Sequence, residues 1–296
     1  MGFDYSTPAI IKWQLDNFMD VIDEFESIFA DTVHHKVCVG QNYETILLHI
    51  VGKSMVTVRE ILTLCAHGYP DGALSLGRNL YEQMIVISFF EMHKDDVDFQ
   101  EYVDDFFLNY EVQRNKCFRD IDRYIPDDGR TALEVEWENL KKHTKRKLHG
   151  DYWWTNHNSF SELVEHIMQG QTDKCMYKFW GVHYMRYKRA CIALHAGCMG
   201  NSIRIGSNTA SNVVDTSPSV YGQSTPLVYA AVSLIAIVKA KLFCPEIAGL
   251  FCRIAGLFCH DSRANLSLKP AMRQNRPAIS GQNRLALTIA IKDTAA

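Results

Sequence analysis

Asp71-Gly-Ala-Leu-Ser-Leu-Gly-Arg78-Asn-Leu-Tyr-Glu82-Gln-Met-Ile-Val-Ile-Ser-Phe-Phe90 is the stretch on which the fold turns. Leu76, Leu80, Met84 and Ile87 recur at helical spacing, and Ile85, Val86, Phe89 and Phe90 carry the apolar surface almost all the way round. A helix apolar on most sides is normally buried between other helices. Pro70, Asp71 and Gly72 mark its start, with a candidate cap and an acidic first turn. Arg78 and Glu82 are therefore expected where solvent is scarce, and at a separation of four they share a face and can pair. A buried charge left unpaired costs on the order of several kcal/mol. Either the pair fixes helix register in a dry core, or Arg78 reaches an anionic ligand in a central cleft while Glu82 orients it.

Working outward, the turn His67-Gly-Tyr-Pro-Asp-Gly72 is rich in helix breakers and joins this helix to another over 43–65, marked by Ile46, Leu47, Ile50, Met55, Val58 and Leu62. The two form a helical hairpin. Upstream, 8–29 repeats apolar residues at Ile11, Leu15, Phe18, Ile22 and Phe25 with carboxylates between, an amphipathic helix. Downstream, 93–124 reads as a long charged helix whose aromatics, Phe99 to Phe118, cover the bundle.

A helix over 130–148 ends in Lys141-Lys-His-Thr-Lys-Arg-Lys147, the one strongly basic run in an acidic body; it reads as a solvated face or loop, with phosphate binding as the sharper alternative. Trp153 and Trp154 follow in a loop, and Ser159 with Glu162 makes a capping box for 160–168. Residues 175–198 form another helix, 207–225 a polar loop, and 226–243 the last clear helix. Its apolar run, 227–238, is too short for the roughly 20 residues of a membrane span and reads as a core helix.

No strand alternation stands out, so the class is all-α: a multi-helix bundle of long antiparallel helices with a poorly packed C-terminal tail. The bundle domain takes residues 1–245. Residues 246–296 hold a tandem copy, Ile247-Ala-Gly-Leu-Phe-Cys-Arg253 then Ile254-Ala-Gly-Leu-Phe-Cys-His260, followed by a basic tail expected to be flexible.

The net charge of −3 hides an asymmetry: residues 1–200 carry 21 Lys/Arg against 30 Asp/Glu, and the remainder 10 against 4. The acidic body argues against broad nucleic-acid binding by charge alone. Nine cysteines with no CxxC, and an N-terminus without the basic and apolar regions of a signal peptide, point to reduced thiols in a cytoplasm. No membrane partner is expected.

Two constellations bear on chemistry. Cys191, His195 and Cys198 share one helix face, but without a fourth ligand no metal site is expected. No phosphate loop, nucleophile elbow or metalloprotease motif occurs, and no cofactor is expected. Arg189-Ala-Cys-Ile-Ala-Leu-His195 places an Arg six residues before a His at a helix end. Six residues on a straight helix stand about 120° off one face, so joint action needs either a bend or a partner chain, the latter in a homodimer.

This Arg…His spacing resembles the signature of the helical HEPN ribonucleases. That resemblance implies His195 as acid/base and Arg189 as charge stabiliser, cleaving RNA at its 2′-OH without a metal. The stretch Gly68-Tyr-Pro-Asp-Gly-Ala-Leu-Ser-Leu-Gly-Arg78-Asn-Leu-Tyr-Glu82 resembles an uncharacterised prokaryotic helical family with a central Arg-x-Leu-x-Glu helix, a later Trp segment matched by Trp154, and a Tyr…His helix matched by Tyr187 and His195. The likeness covers 43–243 and implies Arg78, Glu82, Tyr187 and Trp154 as ligand-binding positions. The functional expectation is a HEPN-like module binding RNA or another anion, a ribonuclease in host–virus conflict. The competing expectation is a non-catalytic scaffold or interaction module.

Overall fold

The computed structural model describes residues 9–34, 42–170, 174–194 and 222–238. These form helices α1 (Ala9–His34), α2 (Tyr43–Ala66), α3 (Pro70–His93), α4 (Phe99–Asp120), α5 (Asp127–Leu140), α6 (Phe160–Gln169), α7 (Lys174–Leu194) and α8 (Ser224–Val238). No strand occurs among the described residues, and the class is all-α, a bundle of helices as the periodicity predicted. The tandem repeat and basic tail, 246–296, lie outside the described residues.

Contacts divide the chain into two compact units, one from Met1–Val37, Leu48–Met84 and Thr172–Ala296, the other from Cys38–Leu47 and Ile85–Gln171. The division falls inside α2 and α3.

In the first unit the hairpin expected from the sequence forms. Gly68 takes φ 79°, open to glycine without penalty, while the Tyr69 amide bonds the Leu64 carbonyl at 2.8 Å and the Gly68 amide bonds Cys65 at 3.1 Å. These two bonds close the end of α2 as a Schellman motif. Pro70 then opens α3, where its missing N–H costs nothing; Asp71 sits in the first turn rather than at the cap. Ser54 and Gln83, nearly equidistant from this turn, hydrogen-bond at 2.5 Å, which sets α2 and α3 antiparallel. Arg59 ties α2 to α1 through Glu26, at 2.7 Å from its Nε, and through Asp23. α8 is enclosed from Leu227 to Ile235, a core helix. Among the described residues no helix is long and apolar enough to cross a membrane.

α3 meets α8 at one small residue. A β-carbon on Gly77 would stand 2.8 Å from the Tyr229 ring, so only glycine permits this approach. Tyr81, also on α3, packs its ring 6.0 Å from that of Tyr229.

The second unit is built round aromatic rings. Trp154 stacks on Phe90 at 5.3 Å and meets Phe89 and Phe106 edge-on at 5.4 and 5.0 Å. Such pairs add about 0.5–1.5 kcal/mol each beyond area burial. Residues 153–155 form a 3-10 turn rather than an open loop, and the Trp153 indole donates to Asn109 Oδ1 at 2.8 Å. The capping box on α6 holds: the Glu162 amide bonds Ser159 Oγ at 3.3 Å, though the Glu162 carboxylate reaches back to the Asn158 amide at 2.9 Å instead of that of Ser159.

Two expected helices are shorter than predicted. The helix drawn over 93–124 is broken by a turn before Phe99, because Asp95, Asp96, Val97 and Asp98 are weak helix formers. Its aromatics also divide: Tyr102 is buried, whereas Tyr110 is 71% exposed. The helix drawn over 130–148 ends at Leu140, where like charges along the basic run oppose helical neighbours.

Candidate functional site

Three sequence-predicted residues come together in the first unit. Arg78 donates from Nε to Glu82 Oε1 at 2.9 Å, and Tyr187 on α7 donates its hydroxyl to the same oxygen at 3.0 Å. The Arg78 guanidinium stands 5.6 Å from the centre of the Tyr187 ring, a cation–π contact. One carboxylate oxygen thus binds a cation and a phenol from two helices.

The expectation that Arg78 and Glu82 lie where solvent is scarce is corrected. The Arg78 and Glu82 side chains retain 32% and 27% of their exposure. Their stripe on α3 lies beside Gly77 and Tyr81, but the long side chains run outward from it, as amphipathic stems do. At such exposure an i,i+4 pair contributes only about 0.3–0.5 kcal/mol. Holding register is a small role for it, and neither Nη group makes a hydrogen bond or ion pair among the described residues.

Burial, then the Glu82 charge, push the Tyr187 hydroxyl well above its usual range, so it remains a neutral donor. Burial works against the Arg78 charge while the Glu82 hydrogen bond and charge favour it, and the balance strengthens the cation. The free thiol of Cys191 is half-buried one turn beyond Tyr187.

The other candidates are placed differently. Arg189 is exposed on α7. His195 and Cys198 lie outside the described residues, so the Arg189–His195 pair and the Cys191–His195–Cys198 face do too. Trp154 belongs to the second unit, with its faces and edges taken up by Phe89, Phe90 and Phe106. Among the described residues no three His, Cys, Asp or Glu side chains are grouped to hold a metal ion.

The second unit holds polar groups that spacing did not signal. His93 Nε2 lies 2.9 Å from His166 Nε2, and His93 Nδ1 lies 2.6 Å from Asp96. The His157 ring is 4.8 Å from that of His166. Burial lowers the pKa of both His157 and His166, and their mutual charges add to the effect at His166. Three cations of the basic run, Lys141, Lys145 and Arg146, are paired with carboxylates. Arg146 binds Asp105, with side chains only 9% and 6% exposed, and crosses the Tyr102 ring at 4.3 Å; Lys145 binds Glu101 at 2.6 Å. An open hollow along α5, lined by Asp128, Val135, Glu136 and His143 among others, includes none of the candidate residues.

The fold class and the Arg78–Glu82–Tyr187 arrangement describe an all-helical protein with a charged side-chain cluster joining two helices. The chain belongs to a family of unknown function (DUF5677), whose model matches residues 44–211, more than half of its length. No curated protein and no solved structure matches it.

Proposed function

We propose that the chain is an anion-binding helical module whose ligand is the RNA backbone, bound at the half-exposed Arg78 that Glu82 and Tyr187 hold in place. One observation carries this reading. Glu82 engages Arg78 at Nε, leaving both Nη groups without a hydrogen bond or ion pair among the described residues. A guanidinium fixed at one edge presents a fork that matches a phosphate.

The finer proposal is a HEPN-like, metal-independent ribonuclease of the cytoplasm acting in host–virus conflict. Arg189 stabilises developing charge and His195 moves the proton at the 2′-OH, with a second copy of the chain as the means of bringing them together. The Arg189…His195 spacing supports the chemistry, and free thiols at Cys65, Cys117 and Cys191 support the compartment. The second reading is a non-catalytic scaffold. It is favoured by Glu82, which already offsets the Arg78 charge one for one.

Cleavage of single-stranded RNA by the purified full chain tests the choice, with His195→Ala as control. The ribonuclease reading expects cleavage that His195→Ala abolishes. Equal activity in both, or none in either, removes it.

A further inference from the structure

α7 (Lys174–Leu194) carries Lys174, Lys178, Arg186, Lys188 and Arg189 and no Asp or Glu at all. This stands in a body, residues 1–200, where acids outnumber bases by 30 to 21. One of these cations is turned inward. Arg186 Nη1 is buried and has no hydrogen-bond partner, and no carboxylate pairs with Arg186 among the described residues.

Its surroundings make the omission costly. Its neighbours are the Tyr229 phenol, which burial keeps neutral, and Arg189, a second cation that opposes its charge. His183, stacked on the Tyr229 ring at 5.6 Å and wholly buried, is held neutral by that burial and by the Arg186 charge. Arginine does not shed its proton at any accessible pH. With Nη1 buried and no carboxylate partner among the described residues, the Arg186 guanidinium offers an anion a place to bind, since buried polar atoms in native proteins are almost always satisfied.

From this we infer that α7 carries a phosphate-binding site in which the Arg186 fork takes the oxyanion and Arg189, one turn later, supplies a second positive charge. Positions i and i+3 are neighbours on a helix surface, so one phosphate group spans both. A planar guanidinium binds two oxygens of a phosphate at once, and a dianion rewards the second arginine. The site is separate from the Arg78 cluster and stands whether or not Arg78 binds anything. The phosphate is that of a nucleic-acid backbone or of a small phosphorylated molecule.

Thermal unfolding of the full chain tests it, with inorganic phosphate against chloride at equal ionic strength. Phosphate at about twenty times its Kd is expected to raise Tm by about 3–6 °C. Arg186→Met is expected to lose this rise and, having no buried charge to satisfy, to unfold no earlier than wild type in chloride. Arg78→Met is expected to keep the rise, which separates this site from the one proposed above. No rise in wild type, or the same rise in Arg186→Met, overturns the site. Arg189→Ala lies on the surface and covers the case in which Arg186→Met does not fold: a halved rise supports the two-arginine site, an undiminished one overturns it. A single-stranded oligouridylate in place of phosphate identifies the source. A larger rise that falls steeply with salt assigns the nucleic-acid backbone, and a response to inorganic phosphate alone assigns a small ligand.

Discussion

Tyr187 and Glu82 lie 105 residues apart in the chain and meet at 3.0 Å, the phenol donating to the carboxylate oxygen that also receives Arg78. This bond joins α7 to α3 in the first unit. Tyr187→Phe removes one hydrogen bond and keeps the ring under Arg78. It is expected to cost about 1 kcal/mol in chemical denaturation. An unchanged midpoint and slope would show that the bond contributes nothing.

Gly77→Ala is expected to destabilise the first unit by about 1–3 kcal/mol, because the new methyl meets the ring of a fully buried tyrosine, Tyr229, at 2.8 Å. Helix propensity alone favours alanine over glycine by about 1 kcal/mol. A variant more stable than wild type would mean that α8 moves aside freely.

Arg78, Glu82 and the helix that carries them were legible because a period of 3.6 and a spacing of four are local facts. The hairpin was legible for the same reason, Gly68 and Pro70 being residues that stop and start helices. Whether the Arg78 face is sealed was not legible, since that depends on how α7 lies against α3 and on Tyr187, far off in sequence. The Trp153–Trp154 segment gave no helical pattern and read as a loop, yet tertiary packing draws both rings into the aromatic core of the second unit. His93, His157 and His166 come from separate elements, so no spacing announced their meeting. The inward turn of Arg186 is a matter of rotation about the α7 axis, although the absence of any acid on that helix was there to be counted.

Burial pushes the Cys65 thiol up to about 12, whereas Cys117 is exposed. A thiol reagent at pH 8 attacks the thiolate. Peptide mapping after brief alkylation of the native protein is expected to find Cys117 labelled and Cys65 unlabelled, with both labelled after denaturation. Equal labelling in the native state would contradict the packing of α2.

His157, His166 and His183 all have their pKa lowered by burial. The unfolded chain then binds protons that the folded chain refuses, so stability rises with pH across this window. The contribution is complete above the ordinary histidine value of 6.5 and is lost progressively as pH falls below it. Denaturation midpoints are expected to drop between pH 6.5 and pH 5, and His166→Gln, in the more accessible cluster, to flatten that slope. A midpoint that holds steady or climbs over this interval would contradict the assignment.

The most direct test of the central claim is the equilibrium affinity of a fluorescein-labelled single-stranded RNA for wild type and Arg78→Met at fixed salt. With the Nη groups of Arg78 receiving a phosphate, the variant is expected to bind at least tenfold more weakly, a loss of about 1.4 kcal/mol, while unfolding within about 0.5 kcal/mol of wild type. Identical affinities in two equally folded proteins would contradict the account and leave the Arg78–Glu82–Tyr187 cluster as a structural tie between α3 and α7.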